Sequence, residues 1–388
     1  MNVSAGPAVL LINNLGVGGA ERAVRAVAIR FRALGRNVRL VCLESPDSSS
    51  AAEVDFPADS LSHLHTSASS FLKFAYLPLL AIRLTRYLSK NHADTVMSHL
   101  FRANFVNVLA RTLAGSRHKA VLVNHTRLGR LSAEGAQGRI TWLLCRLLYR
   151  KADLVGSVST GAARECERLL DLPAGKSITL YDPVSVSASP LGGKSPGEPR
   201  IIAVGRLVPL KRFQDLIHAF AGIAADFPEL TLNFVGEGRA RDELEHCAEE
   251  AKIEGRVHFL GWMADPSKAV RGAKVFVSTS ETEGFGMAIV EALAAGVPVV
   301  ASDCAFGPRE ILSPATNSSE LLPPGSGIEV APFGILYPVG SVDALENALR
   351  RLIVDSTLSK ELERKGPGRA SDFSIERSTA AYEKILFE

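Results

Sequence analysis

The sequence predicts an α/β protein built as two doubly wound, Rossmann-like domains facing an interdomain cleft. Three observations carry this. The chain has 388 residues, too long for one ordinary α/β domain and suited to two. Short apolar runs alternate with amphipathic helical repeats, the pattern of a parallel sheet covered on both faces. The alternation stops at a Ser-, Pro- and Gly-rich stretch, residues 185–199, and then starts again. The expected domains are residues 1–185 and 200–372, joined by a linker over 186–199. Residues 373–388 are expected to form a helix that returns to the first domain.

In the first domain Val9–Ile12 reads as a strand, followed by Gly16, Gly18 and Gly19. Ala23, Val24, Val27, Ala28, Phe31 and Leu34 then recur at three- and four-residue steps until Gly35 stops them, which predicts an amphipathic helix. Val38–Leu43, Thr95–Met97, Ala120–Val123 and Leu154–Val158 read as further strands, and Phe71–Leu88 and Ile140–Tyr149 as helices. In the second domain the strands are Ile201–Val204, Leu230–Val235, Val257–Leu260, Val275–Val277 and Val299–Ala301. The helices there are Gln214–Ala224, Arg241–Ala251 and Met287–Ala295. Ser313–Val330 reads as an inserted loop, and the chain is expected to be helical from Val342 onward. Ligands of such sheets sit at the carboxyl ends of the strands, so the site is expected between the domains.

Composition narrows the function classes. No apolar run approaches the length of a membrane span, and the N-terminus lacks the features of a signal peptide. The five cysteines are scattered, odd in number and without a C-x-x-C, which implies reduced, buried thiols in a cytosolic protein. Residues 1–196 carry 24 basic against 13 acidic residues, and the remainder 20 against 28. Between Leu61 and Lys151 there are 14 basic residues and only two acids, Asp94 and Glu134. So one-sided a half implies an anionic partner or a solvated basic face. Phe71, Leu72, Phe74, Ala75, Leu79, Ile82 and Leu88 interleave with Lys73, Arg83, Arg86 and Lys90. Trp142, Leu143, Leu147 and Tyr149 do so with Arg139, Arg146 and Arg150. Such segments suit an anionic bilayer, or pack as core helices with basic outer faces. Nucleic acid is disfavoured: there is no helix-turn-helix or zinc pattern, and the acidic half would repel phosphates.

Four segments carry candidate chemistry. In Glu283-Gly284-Phe285-Gly286-Met287-Ala288-Ile289-Val290-Glu291 two acids stand eight positions apart around a helix start. The glycines allow close approach, and the free N–H groups of the helix start favour a phosphate. In Gly205-Arg206-Leu207-Val208-Pro209-Leu210-Lys211 a strand end is followed by two cations suited to a diphosphate that gains charge as it leaves. Gly16-Val17-Gly18-Gly19-Ala20-Glu21 is a glycine loop after the first strand, and Glu44 at the end of the second would suit a ribose. A dinucleotide fingerprint would need glycine at position 21, where Glu21 stands. His99 and His125 each end a strand of the first domain.

Taken together these segments resemble family 4 retaining glycosyltransferases of the GT-B type, over nearly the whole chain and most strongly from Ile201 to Leu312. The resemblance extends to Gly236-Glu237-Gly238 and to Gly307-Pro308-Arg309-Glu310-Ile311-Leu312, as in members that build lipopolysaccharide cores, capsules and lipid-linked oligosaccharides. It implies a catalytic set of His125, Glu283, Arg206 and Lys211. It implies donor binding by Gly18, Gly19, Gly205, Arg206, Lys211, Gly236, Glu283, Phe285, Gly286, Met287 and Glu291, with Glu291 on the ribose. The acceptor is assigned to His99, Arg127 and Glu21. Tyr181-Asp182-Pro183-Val184 departs from the family's N-P-V, with Asp182 in place of Asn.

The implied activity is transfer of a hexose or N-acetylhexosamine, with retention, from a nucleoside-diphosphate sugar, most commonly a UDP-sugar. The implied acceptor is a glycan or lipid-linked molecule at the inner, cytoplasmic face of an anionic membrane. There is no Asp-x-Asp, and the acidic pairs around residues 166 and 282 come with no ligand set, so neither metal nor cofactor is expected. A sugar-nucleotide epimerase on the same scaffold, and a basic nucleic-acid-binding protein, are the alternative readings.

Overall fold

The computed structural model describes residues 6–16, 18–45, 56–63, 70–131, 135–186, 199–317 and 319–388, with the side chains of Ser70 and Phe71 outside the description. Val17 and most of the expected linker, residues 187–198, also lie outside it. The chain divides into two compact units: unit 1 is Met1–Pro183 with Ile375–Glu388, and unit 2 is Val184–Ser374.

Unit 1 runs β1 (Ala8–Ile12), α1 (Gly19–Ala33), β2 (Val38–Cys42), β3 (Ala58–Ser60), α2 (Ser70–Ala75), α3 (Leu77–Asn91), β4 (Thr95–His99), α4 (Phe101–Thr112), β5 (Lys119–Asn124), α5 (Gly135–Leu148), β6 (Leu154–Ser157), α6 (Thr160–Leu170) and β7 (Ser177–Thr179). Its seven strands lie in the order β3-β2-β1-β4-β5-β6-β7, all parallel. The order reverses between β1 and β4, the place where such sheets take ligands.

The expected helix over 71–88 is two helices. Pro78 lies in the first turn of α3, where its missing N–H costs nothing, and the chain restarts there. Two helices were not anticipated. α6 is capped by Ser159, whose hydroxyl accepts from the Ala162 N–H at 3.3 Å. α4 shows no polar stripe because it is buried on most sides, with Asn104 and Asn107 inside the core. Asn104 donates to the Tyr149 hydroxyl at 2.9 Å and to the Val123 carbonyl at 3.2 Å.

Unit 2 runs β8 (Arg200–Val204), α7 (Phe213–Ala224), β9 (Thr231–Val235), α8 (Arg241–Glu250), β10 (Val257–Phe259), α9 (Ser267–Val270), β11 (Val275–Ser278), α10 (Met287–Ala294), β12 (Val299–Ser302), α11 (Pro308–Leu312), β13 (Glu329–Ala331), β14 (Gly334–Tyr337), α12 (Val342–Val354) and α13 (Ser356–Ala370). The strand order is β10-β9-β8-β11-β12-β14-β13, parallel except for the β13–β14 hairpin. The expected loop over 313–330 ends in that hairpin, and the expected helix from Val342 breaks at Asp355 and again at 371–374.

The last helix, α14 (Ile375–Phe387), belongs to unit 1. Phe387 meets Phe31 of α1 edge-on at 5.3 Å, Arg36 pairs with Glu383 at 2.7 Å, and Lys119 donates to the Ile385 carbonyl at 2.6 Å. The five cysteines are buried and unbonded, and burial pushes the Cys42 and Cys166 thiols up to about 12.

Candidate functional site

In unit 2 the carboxyl ends of β8 and β9 are locked together. The Gly205 N–H donates to the Val235 carbonyl at 2.9 Å, and the Leu207 N–H to the Glu237 carbonyl at 3.0 Å. Gly236 has φ +140°, and a Cβ there would collide with the Gly205 carbonyl; one on Gly238 would collide with the Leu207 backbone. The Gly-Glu-Gly segment is therefore what lets the two strand ends approach.

This junction holds Arg206 and Lys211. Arg206 is exposed and pairs with no described residue. Lys211 ends a single tight turn, Pro209–Lys211, whose carbonyls are tied to the loop after β11: Thr279 donates to the Lys211 carbonyl at 2.5 Å and the Glu281 N–H to that of Leu210 at 2.9 Å. Lys211 Nζ donates to Glu283 Oε1 at 2.5 Å, and Ser280 donates to the same oxygen at 2.6 Å. Glu283 is further fixed through its backbone, donating to the Ala305 carbonyl at 3.1 Å. An ammonium has three donors, so Lys211 keeps capacity for an anion while it holds Glu283.

α10 starts at Gly286, which has φ +104°. The amides of Met287 and Ala288 have no acceptor inside the helix, so they offer a positive end to an anion. Glu291 follows one turn later, half-buried and in contact with its surroundings. Phe285 departs from the sequence expectation that it faces the donor. Its ring is 3% exposed and packs against Phe373 at 5.0 Å, so only its backbone is available. Arg309, in the Pro-Arg-Glu segment, turns inward. It holds Asp303 at 2.5 Å and Glu329 at 2.8 Å, and the Leu322 N–H donates to the same Asp303 carboxylate at 2.7 Å. This ion cluster pins the inserted loop to the end of β12.

In unit 1 the ends of β4 and β5 bring His99 and His125 together, sharing a hydrogen bond of 2.9 Å between Nδ1 of His99 and Nε2 of His125. The other His125 nitrogen, Nδ1, lies 3.2 Å from Asp182 Oδ1, off the line a hydrogen bond needs. A hydroxyl reaching for a His125 nitrogen must therefore replace one of these contacts. His99 is 1% exposed and its Nε2 has no partner. Burial, and then the neighbouring His125, hold the His99 imidazole well below its ordinary pKa. Sequence reading marked Asp182 only as a departure from a motif; its place beside His125 was not legible.

A cavity of about 400 Å³ opens against the His125 ring, with Asn13 after β1, Asn124 and Thr126 around the end of β5, and Thr141 on α5 also in its wall. His99 is not in that wall. Arg127 is taken by Glu165, at 2.9 Å, and Glu165 also accepts from the Gly129 N–H. Gly18 caps α1, and a Cβ there would collide with the Glu21 carboxylate folded back over it. Gly19 begins the helix. Among the described residues no group of three or more His, Cys, Asp or Glu could hold a metal ion, and no helix is long and apolar enough to cross a membrane.

Comparison with known proteins places these features. Residues 190–369 match the family described as glycosyl transferases group 1, and residues 17–188 match glycosyltransferase family 4. The N-acetylgalactosamine-N,N'-diacetylbacillosaminyl-diphospho-undecaprenol 4-alpha-N-acetylgalactosaminyltransferase of Campylobacter jejuni is 27% identical over 94% of each chain. The lipopolysaccharide 1,6-galactosyltransferase of Salmonella typhimurium is 32% identical over 45% of each. Among solved structures, HepE of Anabaena in complex with UDP and glucose superposes with a TM-score of 0.77 at 20% identity, over 98% of this chain and 99% of that one. That likeness shows the fold, GT-B.

Proposed function

The chain belongs to glycosyltransferase family 4, and from that premise we propose that it transfers a hexose or N-acetylhexosamine, with retention, from a UDP-sugar to a glycan or lipid-linked acceptor in cell-surface glycan synthesis. The observation that carries this reading is the junction of Lys211 and Glu283 beside the start of α10. Fixed cations and free amides there suit a diphosphate, and a carboxylate stands next to them.

In the reaction, the bond between the anomeric carbon and the diphosphate oxygen breaks as Arg206 and Lys211 stabilise the growing charge. The acceptor hydroxyl attacks from the same face and its proton passes to the departing phosphate, which gives retention. Glu291 binds the ribose. His125 is assigned to the sugar on the family resemblance; it lies in the cavity wall of unit 1. No metal is required, because the two cations and the helix start supply the positive charge.

The relatives support the acceptor class: the Campylobacter protein is named for an undecaprenol-linked substrate and the Salmonella one for lipopolysaccharide. A peripheral position on the cytoplasmic face of an anionic membrane is part of the proposal. α5 exposes Ile140, Leu143 and Leu147 beside Arg139 and Arg146, and α2 and α3 expose Leu72, Leu79 and Ile82 beside Arg86 and Lys90. Lys73, Arg83 and Arg150 are turned to protein acceptors, which narrows the face to those residues. It is expected to co-sediment with anionic vesicles at low salt and to leave them as salt rises.

The deciding test is binding of a panel of UDP-, GDP- and ADP-sugars to the wild-type chain and to Glu291→Ala, followed by assignment of the anomeric configuration of the product with EDTA present. UDP-sugars are expected to bind, more weakly to the variant, and to give a retained linkage. No binding by any nucleotide sugar overturns the reading. Conversion of the donor into another sugar nucleotide without an acceptor indicates an epimerase instead.

A further inference from the structure

We propose that the cavity of unit 1 is a phosphoryl-binding acceptor subsite in which Arg102 takes the anion. The proposal rests on the transferase reading above and adds the chemistry of the acceptor to it. Arg102, in the first turn of α4, forms part of the cavity wall. Its Nη1 donates to Glu44 Oε1 at 2.6 Å, while its Nε and Nη2 are buried without a hydrogen-bond partner. An idle buried N–H costs about 1–3 kcal/mol, so an edge that no protein group satisfies is an edge suited to a ligand.

The local charge points the same way. Glu44 is 1% exposed and faces two cations, Arg102 at 2.6 Å and Lys73 Nζ at 3.6 Å. The positive end of α4 lies at the same wall, where Leu100 and Phe101 also stand, with its Ala103 N–H taken by Asn13 Oδ1 at 3.1 Å. A guanidinium edge matches two phosphoryl oxygens at once. Phe74 and Leu131 give the cavity an apolar side, while Asn13, Asn124 and Thr141 give it a polar one. That combination suits a phosphate ester flanked by sugar hydroxyls on one side and hydrocarbon on the other. Glu44, the one residue that kept a dinucleotide reading alive in the sequence, is thereby accounted for: its carboxylate is committed to holding Arg102.

The full chain, with labelled imidazoles, is titrated with inorganic pyrophosphate, with geranyl diphosphate and, in parallel, with UDP. Both anions are expected to shift the His125 signals saturably, since that ring shares the cavity wall. Arg102→Gln is expected to weaken both about ten- to a hundredfold, while UDP affinity stays within twofold. The neutral pair Glu44→Gln/Arg102→Gln is read alongside, because it leaves no carboxylate buried alone. Tighter binding of geranyl diphosphate than of pyrophosphate assigns a lipid-borne phosphoryl group, and equal binding assigns the bare anion. Anion affinities unchanged in the double variant, or His125 signals unmoved at saturation, overturn the subsite. Failure of UDP to bind any form overturns the transferase reading and leaves the Arg102 result standing.

Discussion

In unit 2 the candidate residues stand on three short contiguous segments, 205–211, 236–238 and 283–291, the first two beginning where a strand ends and the third in the loop between β11 and α10. In unit 1 it arrives one residue at a time: Asn13 after β1, Glu44 after β2, Lys73 on α2, His99 on β4, Arg102 on α4, His125 after β5 and Asp182 after β7. The two sheets share the order of their first five strands and differ only where unit 2 ends in the β13–β14 hairpin, so architecture does not account for the difference. Unit 2 builds its site from backbone, through glycines that bring strand ends together and a helix start that offers amides. Such a site needs consecutive residues. Unit 1 builds its site from side chains, and these can come from anywhere the fold converges.

The largest expected effect tests whether the unit 2 backbone is held as firmly as the contrast requires. Arg309 is the lock, 4% exposed between Asp303 and Glu329. Arg309→Ala leaves Asp303 buried without its partner and is expected to cost about 3–5 kcal/mol in urea unfolding. A loss below about 1 kcal/mol would mean the cluster does not hold the loop.

Next comes the site itself. Lys211→Ala is expected to lower the rate of sugar transfer by about 10²- to 10³-fold, the scale for one group that stabilises transition-state charge. Measured as UDP release at saturating donor, a drop confined to KM would reduce Lys211 to a binding group.

How much was legible follows from the same contrast. The strands with continuous apolar runs were readable, because a strand buried on both faces shows no polar interruption. So were the unit 2 glycines, because positions demanded by close backbone approach stand out at the strand ends. α4 was not readable: buried asparagines, Asn104 bonded to Val123 and Tyr149 and Asn107 bonded to Val96 and Ser98, look, in sequence, like a solvated face. The place of Phe285 in the motif says nothing of where its ring points, which is into Phe373. The Arg102–Glu44 and His125–Asp182 pairs are products of tertiary convergence, and no local pattern announces either.

Imidazoles buried in unit 1, inside the candidate site and outside it, also bring acid sensitivity. Burial, and then the charge of Arg111, bring the His118 pKa from 6.5 down to about 4, and His99 is depressed in the same direction. The unfolded chain takes up a proton below about pH 6.5 that the native imidazole refuses until about pH 4. The stability is therefore intact above that window and is lost as pH falls through it, by roughly 2–3 kcal/mol for His118. The two tryptophans separate the units, Trp142 in unit 1 and Trp262 in unit 2. With each removed in turn, Trp142 fluorescence is expected to report a urea midpoint that falls between pH 7 and pH 4.5. An equal fall reported by Trp262 breaks the contrast.

The smallest effect is the most discriminating. Asp182 is 5% exposed, its Oδ1 has no hydrogen bond, and it stands where the family's motif has Asn. The phenol of Tyr382 is raised well above its ordinary range, by burial first and by the charge of Asp182 second. A buried carboxylate so placed costs desolvation that an amide would not incur. Asp182→Asn is therefore expected to leave the melting temperature unchanged or to raise it slightly, by no more than about 1 kcal/mol in stability. Turnover is expected to fall severalfold with donor KM constant, and the pH profile to change, because the charge beside His125 is gone. That pairing of a steadier fold with slower chemistry is what a residue kept for function shows. Full turnover with an unaltered pH profile would make Asp182 a tolerated substitution, and the side-chain site of unit 1 would then rest on its histidines and Arg102.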